Sequence, residues 1–317
     1  MNHVRILLLA LAFTCGAAAA QYPEHPVKVI NPFAAGGSGD TIQRLFAQKL
    51  SERTGKPFVV ENKTGAGGRI AYDFVAKSRP DGYTLVAADP GYAALPALSV
   101  KLPWDPANDL VPVTMYARTP FAIVVAPQSR FKTLRELLDH ARANPGKVTF
   151  GTPGAGSIGH VVFETVLREA NVTMTHVPYR GGSEALAAVM GGSIDLMVTG
   201  APTVTSHVKG GRVNLLAVTS DERWPVAENV PTLQEQGVKV ASYLWFGLMA
   251  PKGTPQANID VLHRQVTALL QDPAMKETLA AQGVQGAGMG PADMGALLRE
   301  NTRVWGEIVK AAKIAPE

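Results

Sequence analysis

Val27–Leu50 reads VKVINPFAAGGSGDTIQRLFAQKL. The short apolar run Val27–Ile30 has the composition of a buried strand. It stops at Pro32, and a loop holding Gly36, Gly37 and Gly39 follows. After Asp40, the residues Ile42, Leu45, Phe46 and Leu50 recur at helical spacing. Strand, glycine loop and helix in that order aim free backbone N–H groups, and the positive end of a helix, at whatever lies in front of them. The expected guest is an anion. A nucleotide would call for a P-loop lysine or a G-x-G-x-x-G spacing, and neither follows this loop.

The same pattern returns at Lys147–Ala170, KVTFGTPGAGSIGHVVFETVLREA, with Gly151, Gly154 and Gly156 in the loop. Each copy heads a series of alternating elements. After the first come a strand at Phe58–Glu61 and a second glycine loop (Gly65, Gly67, Gly68). A helix including Ile70, Phe74 and Val75, a turn at Pro80–Gly82, a strand at Tyr83–Ala87 and a loop at Ala88–Tyr92 complete the series. After the second copy come the strand THVPY, then RGGSEALAAVMGG as loop and helix. A strand at Ser193–Val198, a helix at Thr203–Gly210 and a strand at Val213–Ser220 follow. Such alternation predicts mostly parallel sheets with helices on both faces. Two long β-like runs, Leu110–Pro127 and Val238–Pro251, are placed to carry the chain from one unit to the other and back. Helices are also expected at Phe131–Ala143, Pro255–Leu270, Pro273–Gln282 and Ala292–Ala312, the last three packing on the first unit. The predicted α/β chain has one lobe at 21–121 plus 244–317 and another at 122–243. Two crossovers join them, and the cleft between is the default ligand site.

At 317 residues, with 46% apolar and 18% charged residues, the chain is long enough for a substantial core. Its net charge of +4 comes from scattered residues, with no basic run interleaved with aromatics, so no nucleic-acid partner is expected. The N-terminus has the three parts of an export signal: basic MNHVR, apolar ILLLALAFTCG and small AAAA. Cleavage after Ala20 would start the mature chain at Gln21, in the periplasm. It would remove Arg5 and the single Cys15, leaving 29 basic against 26 acidic residues. A membrane anchor is the alternative, but the apolar segment is shorter than the roughly 20 residues a spanning helix needs. A lipoprotein acylated at Cys15 would place Thr14 where a smaller residue is expected.

The chain resembles the substrate-binding receptors of tripartite tricarboxylate transporters, often called Bug receptors. The motifs that carry the resemblance run along essentially the whole mature chain. They are YPEHPVKVINPFAAGGSGD, VENKTGAGGRIAYDFVAKSRPDGYTL, FGTPGAGSIGH, THVPYRGGSEAL, GGSIDLM and WFGLMAPKGTP. The resemblance implies a type 2 periplasmic-binding (Venus-flytrap) fold of two mixed sheets that closes on a small ligand, usually a carboxylate. The ligand would be held by loop backbone, small polar groups and water rather than by an arginine clamp. It implies no cofactor, no metal, a monomer, and membrane transporter subunits as partners. Asn31 and Arg180 depart from the family pattern, where an aliphatic residue and a lysine are expected.

Within Phe33–Asp40 the candidate contacts are Phe33, Ala35, Gly36, Gly37 and Ser38: glycines that let backbone approach a carboxylate, and a hydroxyl donor. Asp40 would repel an anion, so a helix cap is its expected role. Gly67 is expected to flank the cleft from the same lobe, and Asp89 to lie just after the third strand, where open α/β sheets bind ligands. Asp89 can meet a ligand amine or close a turn. The second jaw is Thr152, Gly154, Ala155, Gly156 and Ser157, with two hydroxyls and a helix beginning near Ile158. Tyr179, Arg180 and Gly181 follow the THVP strand, and Arg180 is either a cation near the ligand or a solvent-facing side chain. Asp195 can bind an amine, hold water or cap a strand–helix junction. Trp245 and Phe246 read as core or hinge aromatics.

A solute receptor working by cleft closure is the leading expectation, its ligand a di- or tricarboxylate, an amino acid or an aromatic acid. A ligand-sensing protein signalling to a membrane partner needs the same closed form. A periplasmic hydrolase is disfavoured: Ser157 and His160 in GAGSIG do not make the G-x-S-x-G elbow, and the seven histidines lack zinc-type spacing. The chain is therefore not expected to be an enzyme.

Overall fold

A computed structural model of the protein describes residues 22–33 and 35–314; the expected export signal lies outside them. Strands β1 (Val27–Asn31), β2 (Phe58–Asn62) and β3 (Thr84–Ala88) form a parallel trio with β1 in the middle. Helices α1 (Ser38–Thr54) and α2 (Arg69–Ala76) link them, and α3 (Gly91–Leu98) follows β3. The long β4 (Leu110–Val125) and α4 (Leu134–Ala143) lead to a second parallel trio. Its strands are β5 (Thr149–Thr152), β6 (Thr175–Pro178) and β7 (Leu196–Gly200), with β5 central. Here α5 (Ile158–Glu169) and α6 (Gly182–Met190) are the linking helices, and α7 (Thr205–Lys209) and β8 (Asn214–Val218) follow. The chain ends with β9 (Tyr243–Pro251), α8 (Gln256–Gln271), α9 (Pro273–Ala281), β10 (Gln285–Met289) and α10 (Pro291–Ala311).

The two trios meet through β4, which is antiparallel to four other strands. Leu110–Pro120 pairs with β9, and its Met115–Arg118 stretch also pairs with β10. Phe121–Val124 pairs with β7, and Ala122–Val125 with β8. Both long runs predicted to carry the chain between lobes are thus strands that lie side by side, although the second begins only at Tyr243. Among the named strands, parallel pairing is confined to the trios and antiparallel pairing always involves β4 or β9; a single parallel bridge joins Val218 to Thr232. The result is the two-lobed mixed α/β architecture, with a strand order of β2-β1-β3-β9-β4-β7-β5-β6.

Residue choice accounts for these elements. Helices cover both faces of β1, so Val27, Val29 and Ile30 are fully buried. Helix α1 buries Ile42, Phe46, Ala47 and Leu50 on one stripe and ends at Gly55. Trp245 and Phe246, read as core or hinge aromatics, are buried in β9.

Several elements differ from the sequence pattern. In α2 the buried residues are Ala71, Tyr72 and Val75, while Ile70 and Phe74, whose spacing marked the helix, are 52% and 41% exposed. The helical stripe is right in period but rotated, because Tyr72 supplies the large buried surface. Helix α3 begins inside the loop expected at Ala88–Tyr92 and continues to Leu98, a stretch for which no element was expected; Pro90, Gly91 and Pro96 obscure it in the sequence. Strand β10, with two glycines in QGAGM, was not anticipated. The helix expected at Thr203–Gly210 is a 3-10 turn (Ala201–Thr203) followed by the short α7.

The end of α9 is tied to residues far away along the chain. Carbonyls that end a helix lack intrahelical partners. Here Lys209 donates to Ala281 O, Thr205 to Gln282 O, and both Thr119 Oγ1 and Trp224 Nε1 to Gly283 O at 2.8 Å. Gly283 has φ +72° and its Cα faces the buried Trp224 ring without room for a methyl group. Gly283→Ala is expected to cost about 2–5 kcal/mol from left-handed strain and overpacking, read as a lower urea midpoint at unchanged m-value.

Candidate functional site

Between the two trios lies a cavity of about 730 Å³, lined from both sides. Its wall includes the starts of five helices: Gly37 and Ser38 of α1, Gly68 and Arg69 of α2, Gly91 of α3, Ser157 and Ile158 of α5, and Gly181 and Gly182 of α6. In a parallel βα unit the helix starts beyond the carboxyl end of its strand, so both trios aim their helix N-termini into the same space. Each N-terminus carries partial positive charge and N–H groups without intrahelical acceptors.

Caps decide whether those N–H groups are free for a guest. The N-cap residues of α1, α2 and α6 are Gly37, Gly68 and Gly181, and none supplies a side-chain acceptor. Away from the cavity, α4 has a Thr133–Glu136 capping box and α9 is capped by Asp272. Helix α10, outside the cavity wall, also starts at a glycine with Pro291 as its first residue, and like α1 (Asp40) and α6 (Glu184) it carries an acid, Asp293, in its first turn. At α5 the Ser157 hydroxyl accepts from His160 N at a long 3.4 Å.

The first jaw is held by Asp40, and not as the expected N-cap. Asp40 is buried within the first turn of α1 and reaches backward. Its Oδ1 accepts from Asn31 Nδ2 (2.8 Å) and Asn62 Nδ2 (2.7 Å); its Oδ2 accepts from Gly36 N (3.0 Å) and Arg44 Nε (2.9 Å). Burial works to raise its pKa, but the bonds from Arg44, Asn62 and Gly36 outweigh it and hold the carboxyl below its ordinary value. The carboxylate thus lies behind the cradle, outside the cavity wall, fixing the loop to β1 and β2. Asn31, the departure from the aliphatic pattern, is one of its donors. Asp40→Ala orphans the buried Asn31 amide and should cost about 2–5 kcal/mol, measured by urea unfolding near neutral pH.

The second jaw rests on a histidine pair. His160 and His176 stack with ring centroids 3.7 Å apart at 17°. His160 Nδ1 accepts from Gly156 N at 3.1 Å, and His176 Nε2 lies 2.7 Å from Thr152 Oγ1. Ser157 Oγ donates to the same Thr152 oxygen. Burial first, and then the neighbouring His160, push His176 down to about 4. The native chain therefore keeps His176 neutral where the unfolded chain, at its ordinary 6.5, already takes a proton. The contribution to stability is complete above about pH 6.5 and drains away as pH falls toward 4. Urea midpoints of the wild type should drop between pH 7 and 4.5 by more than those of His176→Gln.

Twelve of the sixteen candidate contacts line the cavity: Phe33, Gly36, Gly37, Ser38, Gly67, Asp89, Gly154, Ala155, Gly156, Ser157, Arg180 and Gly181. Four fall outside its wall. Ala35 is exposed. Thr152 is fully buried behind the loop, donating to Gly154 O while bonded to His176 and Ser157. The Tyr179 ring packs beside Gly151 in the apolar core of the second lobe. Asp195 accepts from Thr149 N and Oγ1 and from Arg130 Nη2, pinning β5 to the start of β7. Wall residues not anticipated include Tyr72, Leu95, Leu98, Ser183 and Thr199. Leu95 and Leu98 belong to α3, which the sequence concealed; Ser183 sits one residue inside the RGGSEAL helix start and was legible by analogy with Ser38. Asp89 is half-buried in the cavity wall, where desolvation pushes its carboxyl up to about 7 against the lowering by nearby backbone N–H groups.

Residues 42–314 match the model of the tripartite tricarboxylate transporter family receptor. The chain belongs to that family. As a tripartite tricarboxylate transporter receptor it is a solute-binding protein rather than an enzyme. Protein BugT of Bordetella pertussis is 33% identical over 319 residues, covering 98% of each chain. Among solved structures, an R. palustris protein with adipate has 33% identity and a TM-score of 0.86, over 93% of this chain and 100% of the other. MatC from Rhodopseudomonas palustris with bound malate has 30% identity and a TM-score of 0.81, over 91% and 100%. No helix among the described residues of this receptor is long and apolar enough to cross a membrane.

Proposed function

We propose that this receptor binds a small carboxylate in the inter-lobe cleft and delivers it to a tripartite tricarboxylate-type membrane transporter. The observation that carries the reading is the set of helix N-termini at the cavity, three of them starting at uncapped glycines. A carboxylate supplies the missing acceptors, and bonds from N–H to an ionised oxygen are stronger than neutral ones. The adipate and malate bound by two similar proteins support the same ligand class. The contacts are the twelve cavity-lining residues above, with Gly36–Ser38 and Gly154–Ser157 as opposed jaws. The bodies that move are residues 21–121 with 244–317 against residues 122–243. Ligand bridging both shifts an open–closed equilibrium, and the membrane partner reads the closed form. The receptor works as a monomer in the periplasm, after export and cleavage following Ala20.

Calorimetry of the full mature chain against adipate, malate, citrate, glutamate and benzoate tests this. At least one acid should bind with 1:1 stoichiometry; failure of all five would overturn the carboxylate reading. Gly37→Val, which puts a branched side chain on the first jaw, should weaken the bound acid by about 10- to 100-fold, the loss of one or two charge-assisted bonds. Its far-UV spectrum and urea midpoint should stay near those of the wild type.

A further inference from the structure

Asp89 stands out among the cavity residues. Among the described residues it is the only acid in a wall that also carries Arg69 and Arg180. Gly91 N donates to its Oδ1 at 2.9 Å, and no ion pair within the described chain involves it. Asp89 is half-buried in the cavity wall, and a partly desolvated carboxylate without a cation is biased toward its neutral form. The groups facing it are phenols, Tyr72 from α2 and Tyr116 from β4, both held neutral by burial; the Tyr92 hydroxyl of α3 turns away to donate to Pro106 O. They cannot take up its charge. Protonated, Asp89 becomes a donor like the N–H groups around it. Ionised, it would repel the anion those groups are placed to receive.

We propose that Asp89 engages the ligand in its protonated form, donating a hydrogen bond to a ligand carboxylate, so that the cleft takes up one proton from solvent with the acid it captures. The inference rests on the carboxylate reading above. Two carboxyl groups brought within hydrogen-bond distance cannot both stay ionised and share a proton instead. The raised starting point of Asp89, about 7, makes it the group that holds this proton near neutral pH. A ligand that instead presented an ammonium group to Asp89 would bind its ionised form, and the sign of the proton exchange would reverse.

Each acid of the panel that binds is titrated at pH 6, 7, 8 and 8.5 in two buffers of different ionisation enthalpy. The wild type should take up close to one proton at pH 8 and much less at pH 6. Its affinity should fall toward tenfold per pH unit above about 7, where free Asp89 is mostly ionised. Asp89→Asn, whose amide donates at every pH, should show no proton uptake and should bind tighter than the wild type at pH 8.5. Asp89→Ala, lacking the donor, should bind more weakly than Asp89→Asn throughout. This comparison also separates Asp89 from His160 and His176, which both variants retain. Binding by the wild type at pH 8 without proton uptake, with proton release, or with Asp89→Asn weaker than the wild type at pH 8.5 would overturn the proposal while leaving carboxylate binding intact. Absence of binding by wild type and both variants at every pH would instead remove the carboxylate reading itself.

Discussion

A helix that follows a parallel strand must begin beyond that strand's carboxyl end, and the architecture of this receptor depends on that constraint. One parallel trio collects the N-termini of its helices along one edge. Two trios facing each other through a shared long strand collect them around one space. The cavity is therefore electropositive because of backbone direction, before any basic side chain is considered. Glycine at the N-cap positions of α1, α2 and α6 supplies no side-chain acceptor for the N–H groups that follow it. A helix start of this kind has N–H groups that water or a guest must satisfy.

The same logic explains where the charged and titratable groups sit. Asp40 and the His160–His176 pair lie behind the two jaws, not in them. From there they fix backbone positions: Asp40 holds Gly36, His160 holds Gly156. Each cradle is thus shaped by groups that do not compete for the ligand. Asp89 is different, because it faces the cavity, has no cation against it and carries a carboxyl whose charge depends on pH near neutrality.

Much of this was legible in the sequence because it is local. A strand, a glycine loop and an amphipathic helix are written within about 24 residues, and the repetition of Val27–Leu50 at Lys147–Ala170 announced two jaws. Loop residues at the carboxyl ends of strands were singled out for the same reason, and twelve of them line the cavity. The misses are residues whose roles depend on partners far along the chain. Thr152 and Ser157 look alike as hydroxyl donors, yet Thr152 is turned toward His176, 24 residues away. Asp195 left open an amine, a water or a strand–helix cap as its partner; in the fold Thr149 and Arg130 occupy it. Helix α3 was hidden because two prolines and a glycine mask a segment that tertiary packing nonetheless makes helical.

The sequence by itself determined the α/β class, the paired glycine loops, the two long connecting strands and, through its motifs, the receptor family. These follow from periodicity and turn chemistry, which act over a few residues. Only the tertiary structure decided which groups face the cleft. It moved Asp40 from cap to anchor and took Thr152, Tyr179 and Asp195 out of the wall. It also brought Tyr72 and α3 into the wall and left Asp89 half-buried within it, outside any ion pair among the described residues. Burial and long-range partners set a side chain's charge and direction, and neither is encoded within the span of a motif.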